Sequence, residues 1–139
     1  MMKNFSQKGL LLLFAWFTIG SFQSILGQNG TSFKIKVQID YETLRPSLDT
    51  IITSNRPLTA LEALQYAARV ETNHVGTYVF VTGIDDTKGQ RGVMAWYYEV
   101  NGQPSKTLAI NAVLKSGDIL RWIYTKDVCS GKVDQPVRT

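Results

Sequence analysis

The sequence predicts an α+β domain in which one helix packs on a mixed, mostly antiparallel sheet. Residues 33–41 alternate between apolar and polar side chains, which is the pattern of a strand with one buried face. Thr59 and Glu62 then form a capping-box motif at the start of a helix whose apolar residues recur on one stripe. Segments rich in β-branched and aromatic residues lie on both sides of this helix. This order of elements is typical of the α+β class.

Most predicted elements are bounded by residues that favour turns. Asn101-Gly102 is the strongest of these signals, because both residues accept the positive φ that a tight reversal requires. Residues 71–76, which include His74, are predicted to be a loop. The predicted elements are strands at 33–41, 48–53, 77–84, 96–100 and 119–125, and a helix at 60–70. Together they indicate a small β-grasp-like module.

The length and charge of the chain exclude several classes of protein. The 139 residues, 44% of them hydrophobic, fit one compact domain. The net charge of +4 falls to +2 without Lys3 and Lys8, because 13 basic residues then face 11 acidic ones. No cluster of Lys or Arg marks one face, so nucleic-acid binding is not expected.

The first 27 residues have the composition of a secretory signal peptide. A basic start at residues 1–8 precedes an apolar run at residues 9–19 that is too short to span a bilayer comfortably. We expect residues 1–27 to be removed, leaving a secreted or periplasmic protein without a transmembrane segment; an uncleaved anchor is the alternative. The mature chain is predicted to comprise a domain at residues 28–125 and a polar, flexible tail at residues 126–139.

The sequence offers few residues for catalysis or metal binding. His74 and Cys129 are the only residues of their types, whereas a nucleophile needs a nearby base and zinc needs three or four ligands. Asp85 and Asp86 could supply hard oxygen ligands for calcium, but an ordinary acidic turn is the simpler interpretation. We therefore expect a protein that is not an enzyme and that requires no cofactor.

Two aromatic strands raise the main functional question. Trp96 and Tyr98 alternate with Tyr97 on one strand, and Trp122 and Tyr124 recur on the last strand. Both faces of each strand carry bulky side chains, more than a helix packed on one side needs. One set can fill the core while the other is incidental, or the exposed set can form an apolar platform for a flat ligand or a partner. A period of two does not show which set is buried.

Four segments of the chain carry a resemblance to a known family. They read TALEALQYAA, GTYVFVTGIDD, GVMAWYYEVNGQPS and LKSGDILRWIYT. In this order they resemble the transcobalamin-like C-terminal domain, the small β-domain of the vertebrate cobalamin carriers, which also occurs in exported bacterial proteins. The resemblance spans residues 33–125. Its most specific part is an aromatic strand, then Asn-Gly, then Lys-x-Gly-Asp before the closing strand.

The resemblance implies an exported binding module whose ligand is cobalamin or another corrinoid. In the carriers, the strand similar to Trp96, Tyr97 and Tyr98 lies against the corrin, so these residues would form the platform, with Asn101 and Gly102 as its rim. The carriers' larger helical domain has no counterpart here, which implies a weak site or half of a composite site that a second protein chain completes. The alternative is a protein-interaction or surface-display module with no small-molecule ligand.

Overall fold

A computed structural model describes residues 30–130 of the protein. The predicted leader, residues 1–27, lies outside this range, and the predicted tail, residues 126–139, is described only as far as Ser130. The strands are β1 (Phe33–Asp40), β2 (Leu48–Ser54), β3 (Val70–Val75), β4 (Tyr78–Ile84), β5 (Thr87–Lys88), β6 (Met94–Val100), β7 (Gln103–Pro104) and β8 (Ile119–Lys126). One helix, α1 (Ala60–Ala67), lies between β2 and β3.

The described strands form two sheets. The five-stranded sheet has the order β2-β1-β8-β6-β7, and the three-stranded sheet has the order β3-β4-β5. β1 and β8 pair in parallel at the centre of the larger sheet, with Val37 opposite Leu120 and Ile39 opposite Trp122. The other strand pairs are antiparallel. The first and last strands of the domain are therefore direct neighbours.

The predicted α+β class is wrong, because the described chain is mostly β and has two sheets rather than one. Residues 71–76 were predicted to be a loop, yet most of them belong to β3 and pair with β4. The side chains of β3 are largely exposed on both faces, so they show no apolar alternation that would reveal a strand. The five predicted strands of the sequence analysis are confirmed, with shifts of one or two residues at their ends.

The helix α1 begins where the sequence predicts and ends earlier. Thr59 Oγ1 accepts a hydrogen bond from the Glu62 N–H at 3.2 Å, and the Glu62 carboxylate accepts one from the Thr59 N–H at 2.8 Å, which completes the capping box. The predicted end at residue 70 is wrong, because Ala68 is already extended, with φ −151° and ψ 164°. Asp85 Oδ1 accepts a hydrogen bond from the Arg69 N–H at 2.9 Å. This bond directs the chain into β3.

The hydrophobic core lies between α1 and one face of the five-stranded sheet. Its fully buried members from the central strands and the helix are Ile35, Val37, Ile39, Leu64 and Leu120. The segment at residues 108–114 closes the core beside the helix, since the Leu114 N–H donates to the Leu58 carbonyl at 2.8 Å. Alternation along the strands leaves the opposite face of this sheet open to solvent. We call this opposite surface the open face.

Three aromatic side chains, two in strands of the larger sheet and one directly after β1, join this sheet to the smaller one. Their polar atoms all donate to the turn and short strand at residues 85–88. The bonds run from Tyr41 Oη to Asp85 Oδ2 (2.6 Å), from Trp96 Nε1 to the Thr87 carbonyl (2.9 Å) and from Tyr124 Oη to the Lys88 carbonyl (2.8 Å). The centroid of the Trp96 ring lies 5.6 Å from the ring centroid of Tyr41 and 5.1 Å from that of Tyr124. The second sheet thus satisfies polar atoms that the aromatic cluster would otherwise bury unpaired.

Thr59→Ala should lower the free energy of unfolding by about 1 kcal/mol, because the first turn of α1 loses an acceptor for its free N–H groups. Urea denaturation at pH 7 measures this loss as a lower midpoint with an unchanged slope. Thr107→Ala is the matched control, since Thr107 is exposed in a loop. Equal midpoints for the two variants would show that the capping box does not stabilise the domain.

Candidate functional site

The alternation of β6 divides the three predicted platform residues between two faces. Trp96 and Tyr98 point into the core, opposite Tyr124 and Trp122 of β8. Tyr97 lies between them in sequence and therefore points to the open face. Trp96 is only 7% exposed. Trp96, Tyr97 and Tyr98 consequently do not share a ligand-accessible surface.

Tyr98 is half-buried at the edge of the core. Its ring stacks on Trp122 at a centroid distance of 5.0 Å and an interplanar angle of 28°. Its hydroxyl donates to the Thr107 carbonyl and accepts a hydrogen bond from Ser105 Oγ at 2.7 Å. Trp122 Nε1 has no hydrogen-bond partner among the described residues. The aromatic residues that face the core are therefore Trp96, Tyr98, Trp122 and Tyr124.

On the open face, Tyr97 holds the residues that follow β8. Its hydroxyl donates to Asp127 Oδ1 at 3.2 Å and accepts a hydrogen bond from the Val128 N–H at 3.3 Å. Burial and a hydrogen bond with the Cys129 side chain raise the pKa of Tyr97 to about 12. The hydroxyl of Tyr97 is therefore held in its neutral form by the segment that follows β8.

Asp127 is the buried acidic residue of this contact. Its Oδ1 accepts hydrogen bonds from the N–H groups of Cys129 (3.0 Å) and Ser130 (2.9 Å), and its Oδ2 accepts one from the Gly92 N–H at 2.8 Å. The hydrogen bond from the Ser130 N–H, followed in size by the one from the Gly92 N–H, holds the pKa of the Asp127 carboxyl well below its usual value. The carboxylate thereby fastens residues 127–130 to the loop before β6.

Asn101 and Gly102, the predicted rim residues, form the turn between β6 and β7. Both have positive φ, 52° and 77°, as the reversal signal requires. Asn101 Nδ2 donates to Asp118 Oδ1 at 2.9 Å, and Asn101 Oδ1 accepts a hydrogen bond from the Ile119 N–H at 2.9 Å. These bonds attach the turn to the start of β8. Both residues are exposed at the edge of the open face.

A depression of about 470 Å³ occupies the open face beside this turn. Its lining combines apolar surface with charged and amide side chains, whereas the sequence suggested an apolar platform. The residues that line it come from β1, β2, β6, β8 and two turns: Gln38, Ile39, Asp40, Ser47, Leu48, Asp49, Glu99, Asn101, Gly102, Ile119 and Arg121. It thus brings together the two predicted rim residues and none of the three predicted platform residues.

Ion pairs fix the charged side chains of the depression. Arg121 Nη2 lies 2.9 Å from Asp40 Oδ2, and Arg121 Nη1 lies 3.3 Å from Glu99 Oε1. The bonds with Asp40 and Glu99 raise the pKa of the Arg121 guanidinium. Asp49 Oδ2 accepts hydrogen bonds from Gln38 Nε2 and from the Lys36 ammonium, each at 3.0 Å, and these bonds lower the pKa of Asp49. These bonds therefore favour the ionised form of Asp49.

The charged members of this site are not apparent from the sequence. Asp40, Glu99 and Arg121 lie on three different strands, and each is the polar partner in an apolar–polar alternation. They meet only because β8 lies between β1 and β6, which places Arg121 opposite Gln38 on one side and Glu99 on the other. The available signal is that each of them occupies a strand position whose side chain points away from the aromatic core.

The other residues singled out from the sequence do not form a site together. His74 is exposed on β3, and Cys129 is exposed after β8. Asp85 accepts hydrogen bonds from Tyr41 and Arg69, and Asp86 pairs with the Arg69 guanidinium. Within residues 30–130, no group of three His, Cys, Asp or Glu side chains is arranged to hold a metal ion. No helix in the same range has the length and apolar character needed to cross a membrane.

Comparison with known proteins places this arrangement among related domains. The profile of a domain of unknown function, DUF4430, matches residues 58–126. The match includes α1, both aromatic strands and the Asn101-Gly102 turn. No protein of curated function matches the sequence.

Solved structures of two proteins have folds similar to that of this chain. The crystal structure of haptocorrin in complex with Cbi matches 71% of this chain with a TM-score of 0.62 and 13% identity. The chain spans about a quarter of haptocorrin, 26%. A candidate metal-binding protein from Ruminococcus gnavus ATCC 29149 matches 68% of this chain and 98% of its own length, with a TM-score of 0.59 and 14% identity. At these identities the likeness extends to the fold alone.

Trp96→Ala should lower the free energy of unfolding by about 3–5 kcal/mol, because it removes a buried indole from the core. Chemical denaturation followed by far-ultraviolet circular dichroism measures the loss. Tyr78→Ala is the matched aromatic control, since Tyr78 is 56% exposed on β4, and it should cost far less. If the two variants were equally stable, the packing role of Trp96 would be wrong.

Asp127→Asn should destabilise the domain at pH 7, because an amide group at this position cannot accept every N–H that the carboxylate accepts. The pKa of Asp127 is depressed in the folded state, so its contribution is fully present above the usual pKa of 3.8 and is lost as the pH falls through the folded value. The difference in unfolding free energy between the variant and the native protein should therefore become smaller as the pH is lowered from about 5 to about 2. Thr107→Ala, which removes no carboxylate, should show no comparable trend.

Proposed function

We propose that this protein is an exported, non-enzymatic binding module whose ligand is cobalamin or another corrinoid. The observation that carries the proposal is the depression on the open face of a sheet whose fold is similar to that of haptocorrin, a protein solved in complex with Cbi. The predicted leader at residues 1–27 supports secretion or residence in the periplasm. A non-enzymatic role is proposed because the sequence shows no pairing of a nucleophile with a base.

The chemistry of the depression suits the edge of a corrin better than its flat face. A corrin ring carries amide side chains around its periphery, and these groups both donate and accept hydrogen bonds. Asp49 and Glu99 supply acceptors, while Gln38 and Asn101 supply amide groups of their own. The proposal therefore replaces stacking on Trp96 with hydrogen bonding at the rim and floor of the depression.

The site alone should bind weakly. Three or four hydrogen bonds at about 1 kcal/mol each do no more than offset an association cost of at least about 4 kcal/mol. Burial of the apolar surface in the lining adds about 2 kcal/mol at most. A dissociation constant of millimolar or weaker is expected for the isolated protein, because millimolar affinity already requires about 4 kcal/mol of binding free energy.

Titration of the purified protein with cyanocobalamin should shift the amide NMR signals of Glu99, Asn101 and Gly102 in a saturable manner. Ser47→Trp should abolish the shifts, because the indole would fill the depression from an exposed position on its wall. Asn55→Trp is the matched control, since it places the same side chain at the opposite end of β2. The expected result is loss of binding in the first variant only.

Saturable shifts confined to another surface would contradict the placement of the site. The absence of any concentration-dependent shift in the native protein, at ligand concentrations above the expected dissociation constant, would contradict the corrinoid function itself. A fold control is available in both variants, because the amide spectrum of the unaffected residues reports whether the domain remains intact.

A protein-interaction or surface-display module is the second candidate function. The observation that favours it is an exposed apolar patch on the β3–β4 hairpin, where Val75 is 55%, Tyr78 56% and Phe80 44% exposed. Exposed apolar groups that lie together mark interaction surfaces more often than isolated ones do. Under this function, replacing Tyr78 and Phe80 with serine would abolish association with a partner, whereas Ser47→Trp would leave it unchanged.

A further inference from the structure

The cations of the depression are already engaged within the protein. The Arg121 guanidinium is shared by Asp40 and Glu99, and the Lys36 ammonium lies 3.0 Å from Asp49 Oδ2. A ligand that needs a positive partner would have to break one of these pairs. The lining carboxylates also outnumber the cations paired to them, three against two.

Two carboxylate oxygens of the depression have unused accepting capacity. Both hydrogen bonds to Asp49 reach Oδ2, and the bond from Arg121 to Glu99 reaches Oε1. None of these bonds within residues 30–130 reaches Asp49 Oδ1 or Glu99 Oε2. Each such oxygen can accept further hydrogen bonds, which water supplies in the free protein.

A bound ligand must replace the water on these two oxygens. A carboxylate that loses its water without gaining a donor costs free energy, because the desolvated charge is not compensated. A ligand carboxylate would bring no donor and would add like-charge repulsion at short range. A ligand amide would bring two N–H donors and no charge.

We propose that the depression selects ligands by their hydrogen-bond donors, and that among corrinoids it binds forms with peripheral amides in preference to forms with peripheral carboxylates. Asp49 Oδ1 and Glu99 Oε2 are the discriminating atoms, and the paired state of Arg121 and Lys36 keeps the site from accepting an anion. The inference rests on the proposed corrinoid function and assigns the chemical feature that the site recognises.

The test compares cobinamide, which carries amides, with cobyrinic acid, in which the corresponding groups are carboxylates. Both are titrated into the purified protein at pH 7, with amide NMR shifts as the readout of binding. We expect cobinamide to bind at least about tenfold more tightly, which corresponds to about 1.4 kcal/mol. In the double variant Asp49→Asn and Glu99→Gln, the ratio of the two affinities should fall toward one.

Glu71→Gln is the matched control, because it removes an exposed, lysine-paired carboxylate from the other sheet. This variant should keep the native ratio of affinities. Equal affinities for the two corrinoids in the native protein, or an unchanged ratio in the double variant, would overturn the donor-based selection while the corrinoid function stood. Failure of both corrinoids to bind would overturn the proposed function and this inference with it.

Discussion

The structure depends on hydrogen bonds between the aromatic layer of the larger sheet and the segment at residues 85–88. Tyr41, Trp96 and Tyr124 each bury a large ring and each carry one polar atom that needs a partner. Carbonyl and carboxylate oxygens of that segment supply all three partners. The second sheet is therefore required by the chemistry of the core.

This constraint also determines where a ligand can bind. Because the aromatic side chains of β6 and β8 face the core, the opposite face of the same strands is left with their polar neighbours. Arg121 of β8 then meets carboxylates from β1 and β6 across the central strands. The depression with its charged side chains therefore lies on the side of the sheet opposite the aromatic core.

The sequence predicts local structure well and pairing poorly. Alternation predicts β1, the capping box predicts the start of α1, and Asn101-Gly102 predicts the reversal after β6. β3 is missed because its side chains are exposed on both faces, so the second sheet and the mostly-β architecture are missed with it. The depression is missed because Asp40 and Arg121 lie 81 positions apart and meet only through the parallel pairing of β1 and β8, which no local pattern encodes.

That parallel pairing gives the domain a mechanical property. β1 runs away from its start at Phe33 in the same direction in which β8 runs toward Lys126, so the chain enters the domain at one end of the sheet and leaves it at the other. A pulling force on the two flanking segments would act along the strands. It would load the evenly spaced hydrogen bonds between β1 and β8 together, in shear, instead of opening them one after another. A domain of this topology therefore resists unfolding when its two ends are pulled apart.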